Sequence, residues 1–236
     1  MADFPAIREN RPTHRLINSR WPSVGLFDEL ADDEAELRIL FDLEMMTNPR
    51  NQIASGRLAL IPDSGLLVGP TANMAMAAFV HCHDDGARFN SAKLGAWYAA
   101  LDIETAIEET VYHLTKRLQL SEGGFPQQMQ MRELITTVCE ALLDLCGEQD
   151  NRPDLYAPAD YTDSQAYSDS VRWPLRQDGA AGIRYDSVRR AGGINVCVFK
   201  PQALTLPITQ GGHYQYDWNI KGKVSIAKLT EIKRPT

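Results

Sequence analysis

At 236 residues, with 44% hydrophobic and 23% charged residues, the chain is long enough to bury a sizeable core and carries no compositional mark of disorder. A net charge of −7 excludes a sequence-independent nucleic-acid binder, which needs a basic face to neutralise phosphates, but leaves room for a small anion in a locally positive pocket. No apolar run reaches the length of a membrane span, and the N-terminus lacks the basic-then-apolar layout of a secretory signal, so a cytoplasmic location is expected.

Residues 1–25 read as extended and polar, with prolines at 5, 12 and 22. Leu37, Leu40, Phe41, Leu43 and Met45 recur at helical spacing behind Asp32 and Asp33, which predicts a helix ended by Asn48-Pro49. Residues 53–68 read as a helix fragment or turn and then a short strand, and the apolar run 74–80 suits either type. Arg88 to Ala100 reads as strand–turn–strand with Gly95 at the turn. Asp102 is placed to cap a helix from Glu104 to about Arg117, acidic at its start and basic at its end. In 129–146 the spacing of Leu134, Val138, Leu142 and Leu145 fits a helix, while Thr136-Thr137-Val138 leans to strands.

A Pro/Tyr/Asp-rich connection over 151–163 leads to a helix from about Ser164 to Gln177, with Asp163 as its cap. Gly179 and Gly182 release the chain into a strand from Ile183 to Ser187, and Gly192-Gly193 turns it into a partner strand from Asn195 to Phe199. Two late strands follow, around 214–219 and 223–229. The fold class is α+β, with residues 1–50 as an N-terminal extension and helix packed on a core of 51–236. The cysteines Cys82, Cys139, Cys146 and Cys197 form no CxxC pair, so free thiols are expected. His81-Cys82-His83 has no second ligand pair at metal-binding spacing, and no metal is expected.

The segment with the most chemistry runs from Gly86-Ala87-Arg88-Phe89 through Trp97-Tyr98-Ala99-Ala100 to Glu104-Thr105-Ala106-Ile107-Glu108-Glu109. Far downstream comes Tyr185-Asp186-Ser187-Val188-Arg189. A cation for a phosphate, an aromatic face for a flat ring and a carboxylate for a developing positive charge suit cleavage of a nucleotide glycosidic bond. Taken singly, each is an ordinary residue: a surface Arg, a core Tyr, a solvated helix Glu, a turn Ser.

In order and spacing these motifs resemble the RES domain, the toxin half of bacterial Xre–RES toxin–antitoxin pairs. The opening His14-Arg15-Leu16-Ile17 and the later Ser164-Gln165-Ala166 and Val198-Phe199-Lys200-Pro201 extend the likeness over most of the chain. One departure is Asp186, where the family often has Pro before the serine. The resemblance favours strands over 129–146 and implies a fold similar to diphtheria-toxin-like ADP-ribosyltransferases, with two small β-sheets flanking an NAD cleft and peripheral helices. It implies a toxin that degrades NAD⁺ by hydrolysis or phosphorolysis, with NAD⁺ as substrate and no other cofactor. Alternatives are an ADP-ribosyltransferase acting on a host protein, and an inactive chain whose role is to bind its antitoxin. The implied partner is a cognate Xre-type antitoxin carrying the helix-turn-helix, in a complex where this chain touches no nucleic acid or membrane.

On that reading Glu109 faces the reacting sugar carbon, and Glu108, about 100° round the same helix, faces away. Arg88 is catalytic with it, its fork on the pyrophosphate or the ribose beside it. Tyr98, with small Ala99 and Ala100 beside it, offers a stacking face, and Ser187 hydrogen-bonds the nicotinamide amide or a ribose hydroxyl. Arg15 is a weaker candidate for a second phosphate contact and Arg20 weaker still. Asn195 reads as a hairpin feature, since no glycine-rich phosphate-loop pattern occurs.

Overall fold

The structure is a computed structural model that describes residues 4–20, 49–230 and 232. The helix expected ahead of Asn48 lies outside the described residues. The strands are β1 (Ala6–Arg8), β2 (Thr13–Asn18), β3 (Trp97–Ala100), β4 (Gln127–Thr136), β5 (Ala141–Asp144), β6 (Gly182–Asp186), β7 (Ile194–Val198), β8 (Thr209–Trp218) and β9 (Val224–Leu229). The helices are α1 (Pro49–Leu58), α2 (Ala72–Val80), α3 (Ile103–Leu120) and α4 (Thr162–Val171), so the class is α+β.

In place of two separate small sheets, hydrogen bonds join the nine strands in the order β1-β5-β6-β7-β3-β2-β4-β8-β9. All neighbours are antiparallel except β5 and β6. The β2–β3 junction is a seam: every residue of β2 pairs with β4, but only His14 pairs with β3, at Ala100. The seam divides the sheet into a half ending in β3 and a half beginning with β2. Residues 4–20, within the stretch read as extended, thus supply β1 at one edge and β2 beside the central β3.

Strand alternation sends neighbouring side chains into different cores. Trp97 and Ala99 join Leu134, Val196 and Phe79 beneath α2, while Tyr98 packs with Phe89, Ile183, Tyr185 and Cys197. A third cluster, Leu16, Ala106, Leu118, Tyr214 and Tyr216, lies between α3 and the β4–β8 side. Two side-chain bonds tie α3 to β8: Thr110 Oγ1 and Tyr216 Oη share one at 2.9 Å, and Trp218 Nε1 donates to Thr115 Oγ1 at 2.8 Å.

Several expectations are corrected by packing. The ambiguous 74–80 run is helical, as α2, because its Ala and Met residues favour helix and its buried faces allow it to be apolar nearly all round. The strand expected after residue 53 is absent among the described residues; Asp63–Gly65 is a 3₁₀ turn instead. The incoming strand at Arg88 is a turn closed by an Ala87–Asn90 bridge. Gly86 makes that turn at φ +71, where a Cβ would stand 2.1 Å from Asn90 O. Gly95 serves close approach rather than a turn: its N–H donates to Phe79 O at 2.7 Å, and a Cβ there would lie 2.3 Å from Ala78 O. Asp163 sits inside the first turn of α4, whose N-cap is Tyr161, while Asp160 just ahead accepts from Thr162 N at 2.9 Å, and the helix stops at Val171, short of Pro174. The strands over 129–146 and 214–229 form as β4, β5, β8 and β9. All four cysteines are free thiols. Among the described residues no helix is long and apolar enough to cross a membrane, and no His/Cys/Asp/Glu group suits a metal.

Candidate functional site

Asp102 caps α3 as its sequence predicts, accepting from Thr105 N at 2.8 Å. The cap fixes where the helix starts, and its period then turns Glu109 toward the ends of β6 and β7 while Glu108 stays exposed. Two buried donors converge on one oxygen of Glu109. Ser187 Oγ and Asn195 Nδ2 each donate to Oε1 at 2.7 Å.

The serine hydroxyl also accepts from the backbone N–H of Arg189 and Arg190, each at 3.1 Å. With its lone pairs engaged by those amides, its single proton is directed to Glu109. Asp186 does not disturb this: its carboxylate is turned away to accept from Gly147 N at 2.6 Å. The other carboxylate oxygen, Oε2, lies 4.0 Å from His113 Nε2, one turn further along α3. Partial burial holds His113 below its ordinary pKa against the pull of Glu109, and the cations of Arg189, Arg117 and Arg88 add to that lowering.

Arg88 comes from the Gly86–Asn90 turn, and Tyr98 holds that turn on β3. The phenol oxygen accepts from Phe89 N and donates to Asn90 Oδ1, both at 2.9 Å. Burial raises the Tyr98 phenol well above its ordinary pKa. Tyr98 is therefore a half-buried core residue whose hydroxyl is spent on positioning the turn. Arg88 is 6% exposed, and its Nη1 donates to Leu155 O and Ala157 O, each at 2.9 Å. Its guanidinium lies over the Tyr161 ring, 4.8 Å from the centroid.

The fold brings Glu109, Ser187 and Asn195 into direct contact, while Arg88 sits on the Gly86–Asn90 turn that Tyr98 holds from β3. Among the described residues Arg15 makes no hydrogen bond to Glu109, Ser187 or Asn195. It fills the seam, donating from Nη1 to Tyr98 O at 2.9 Å and stacking 4.9 Å from the Trp97 ring, where burial lowers its pKa to about 10. Arg20 is exposed beyond the end of β2.

Asn195 is the residue that sequence reasoning misses. Its signal is a lone polar side chain in an apolar strand, two residues from Cys197 and so on the same face, in register with Tyr185.

The family model described as RES domain matches residues 67–219. No curated protein matches the chain. One similar solved structure is a chain from the crystal structure of the M. tuberculosis MbcT–MbcA toxin–antitoxin complex. The two are 14% identical over 91% of this chain and 87% of that one, with a TM-score of 0.43. The matched span covers more than half of the sequence and holds Arg88, Tyr98, Glu109, Ser187 and Asn195. The chain belongs to the RES domain family.

Proposed function

We propose that this protein is the toxin of a toxin–antitoxin pair and cleaves the nicotinamide–ribose bond of NAD⁺. The observation that carries the reading is the Glu109 carboxylate, held through one oxygen by Ser187 and Asn195 with its other oxygen toward the half-exposed His113. Nicotinamide leaves with the bonding electron pair and departs neutral, so the positive charge passes to the ribose as an oxocarbenium ion. A fixed carboxylate beside that carbon stabilises the charge as it develops and need not reorganise to do so. Water then adds to the sugar carbon and loses its proton, giving ADP-ribose; phosphate in its place gives the 1-phosphate.

Arg88 serves the phosphate side of the substrate. Its Nε and Nη2 take no hydrogen bond among the described residues, so one edge of the fork remains for an anion. Such an activity drains the cell that makes it, so an antitoxin of the Xre type covering the cleft belongs to the same reading.

The test is incubation of the purified protein with NAD⁺, with and without phosphate, and identification of the products. Nicotinamide with ADP-ribose or its phosphorolysis product is expected, and no release of nicotinamide overturns the reading. Glu108→Gln is expected to leave that release within a few-fold, because the side chain is exposed, about 100° round α3 from Glu109. Loss of activity there, with Glu109→Gln active, shifts the site by one residue.

A further inference from the structure

Most described arginines of this acidic chain that form bonds near the surface meet a carboxylate. Arg11 pairs with Glu9, Arg152 with Asp154, Arg184 with Asp144 and Arg190 with Asp102. Arg88 and Arg189, like Arg15 in the seam and the buried Arg172, differ. Among the described residues each meets only carbonyl oxygens and an aromatic ring. Arg88 takes Leu155 O and Ala157 O against Tyr161. Arg189 takes Pro158 O from Nη2 and lies 3.3 Å from the Tyr112 ring centroid. Tyr112 Oη donates to the same Pro158 oxygen at 3.2 Å. The two cations thus hold acceptors on consecutive residues, Ala157 and Pro158.

A second observation concerns Arg189 alone. Its Nε is buried and has no hydrogen-bond partner among the described residues. Such orphaned donors are uncommon in folded proteins. Its backbone N–H donates to Ser187 Oγ, so the residue is anchored through its main chain on the hydroxyl that orients Glu109.

We propose that Arg189 is a substrate-binding residue that clamps the diphosphate of a dinucleotide together with Arg88. The proposal rests on the reading of this site as one for NAD⁺. Neutral carbonyl acceptors on adjacent residues stand where two linked phosphates supply anionic ones, and charge-assisted bonds are the stronger. The orphaned Nε gives the fork one more donor for a phosphate oxygen, and the Tyr112 ring of α3 lies against the guanidinium.

The experiment is calorimetric titration of ADP-ribose and of AMP against wild type, Arg189→Ala and Arg189→Lys, with nicotinamide release from NAD⁺ measured alongside. Arg189→Ala is expected to weaken ADP-ribose about 30-fold, AMP only a few-fold, with Arg189→Lys between the two for ADP-ribose. Arg189→Lys keeps an aliphatic stem over Tyr112, so a folded variant is available if Arg189→Ala melts early. Unchanged ADP-ribose affinity in either folded variant, or no ADP-ribose binding by wild type, overturns the clamp. The two failures are distinguishable: NAD⁺ cleavage independent of Arg189 leaves the reaction standing without the clamp. Arg189-dependent ADP-ribose binding without cleavage leaves the clamp standing without the reaction.

Discussion

Glu109→Gln should lower nicotinamide release at least about a hundredfold, a loss of transition-state stabilisation near 3 kcal/mol. The geometry makes this substitution clean. Ser187 and Asn195 both donate to Oε1, and the glutamine carbonyl oxygen accepts from both in the same place. Its amide nitrogen then takes the position of Oε2 beside His113. The side chain stays oriented and the charge alone is removed, so NAD⁺ binding should survive much better than turnover. The check is turnover by nicotinamide release, with affinity from titration of the same variant. Wild-type turnover in Glu109→Gln removes the residue from the chemistry.

Arg88→Ala should cost roughly 2–5 kcal/mol of substrate binding, since it leaves a phosphate desolvated without its cation. Arg88→Lys should already weaken NAD⁺ use substantially, because a lysine keeps the charge but loses the planar fork. Sequence alone suggests that a fall in thermal stability marks a merely structural arginine. The structure shows why that criterion fails: Arg88 is buried, and its Nη1 also serves Leu155 O and Ala157 O. Both variants should therefore melt earlier whatever the guanidinium does for substrate. The deciding measurement is ADP-ribose affinity of the folded fraction, and unchanged affinity moves Arg88 out of the site.

What is legible in the sequence is what local rules determine. Asp102 and the acidic start of α3 mark a helix end, and one helical period separates the roles of Glu109 and Glu108. The Gly192-Gly193 turn and β-branched partners mark β6 and β7. What is not legible depends on register and on irregular backbone. Asn195 reaches Glu109 only because β7 pairs residue by residue with β6 and α3 crosses above, and none of this is encoded near Asn195 itself. The ties of Arg88 end on carbonyls of the 155–157 segment, which carry no side-chain signature. Tyr98 is readable as either a stacking face or a core residue; its hydroxyl bonds to Phe89 N and Asn90 Oδ1 depend on a turn that leaves no signal at Tyr98 itself. Arg15 lies ahead of the matched residues 67–219, and β2 leaves β3 after a single pair, a divergence that gives its side chain a seam to fill.

The bonds from α3 to β8 bear on the chemistry from a distance. Thr110 follows Glu109 directly, and its hydroxyl is held by Tyr216 on the half of the sheet beyond the seam. Ser187 and Asn195 belong to the other half. The rotational phase of α3 is thus set by β8, while the acceptor geometry of Glu109 is set by β6 and β7. The helix acts as the beam of a balance, with the carboxylate at the point where the two halves of one sheet must agree on one angle.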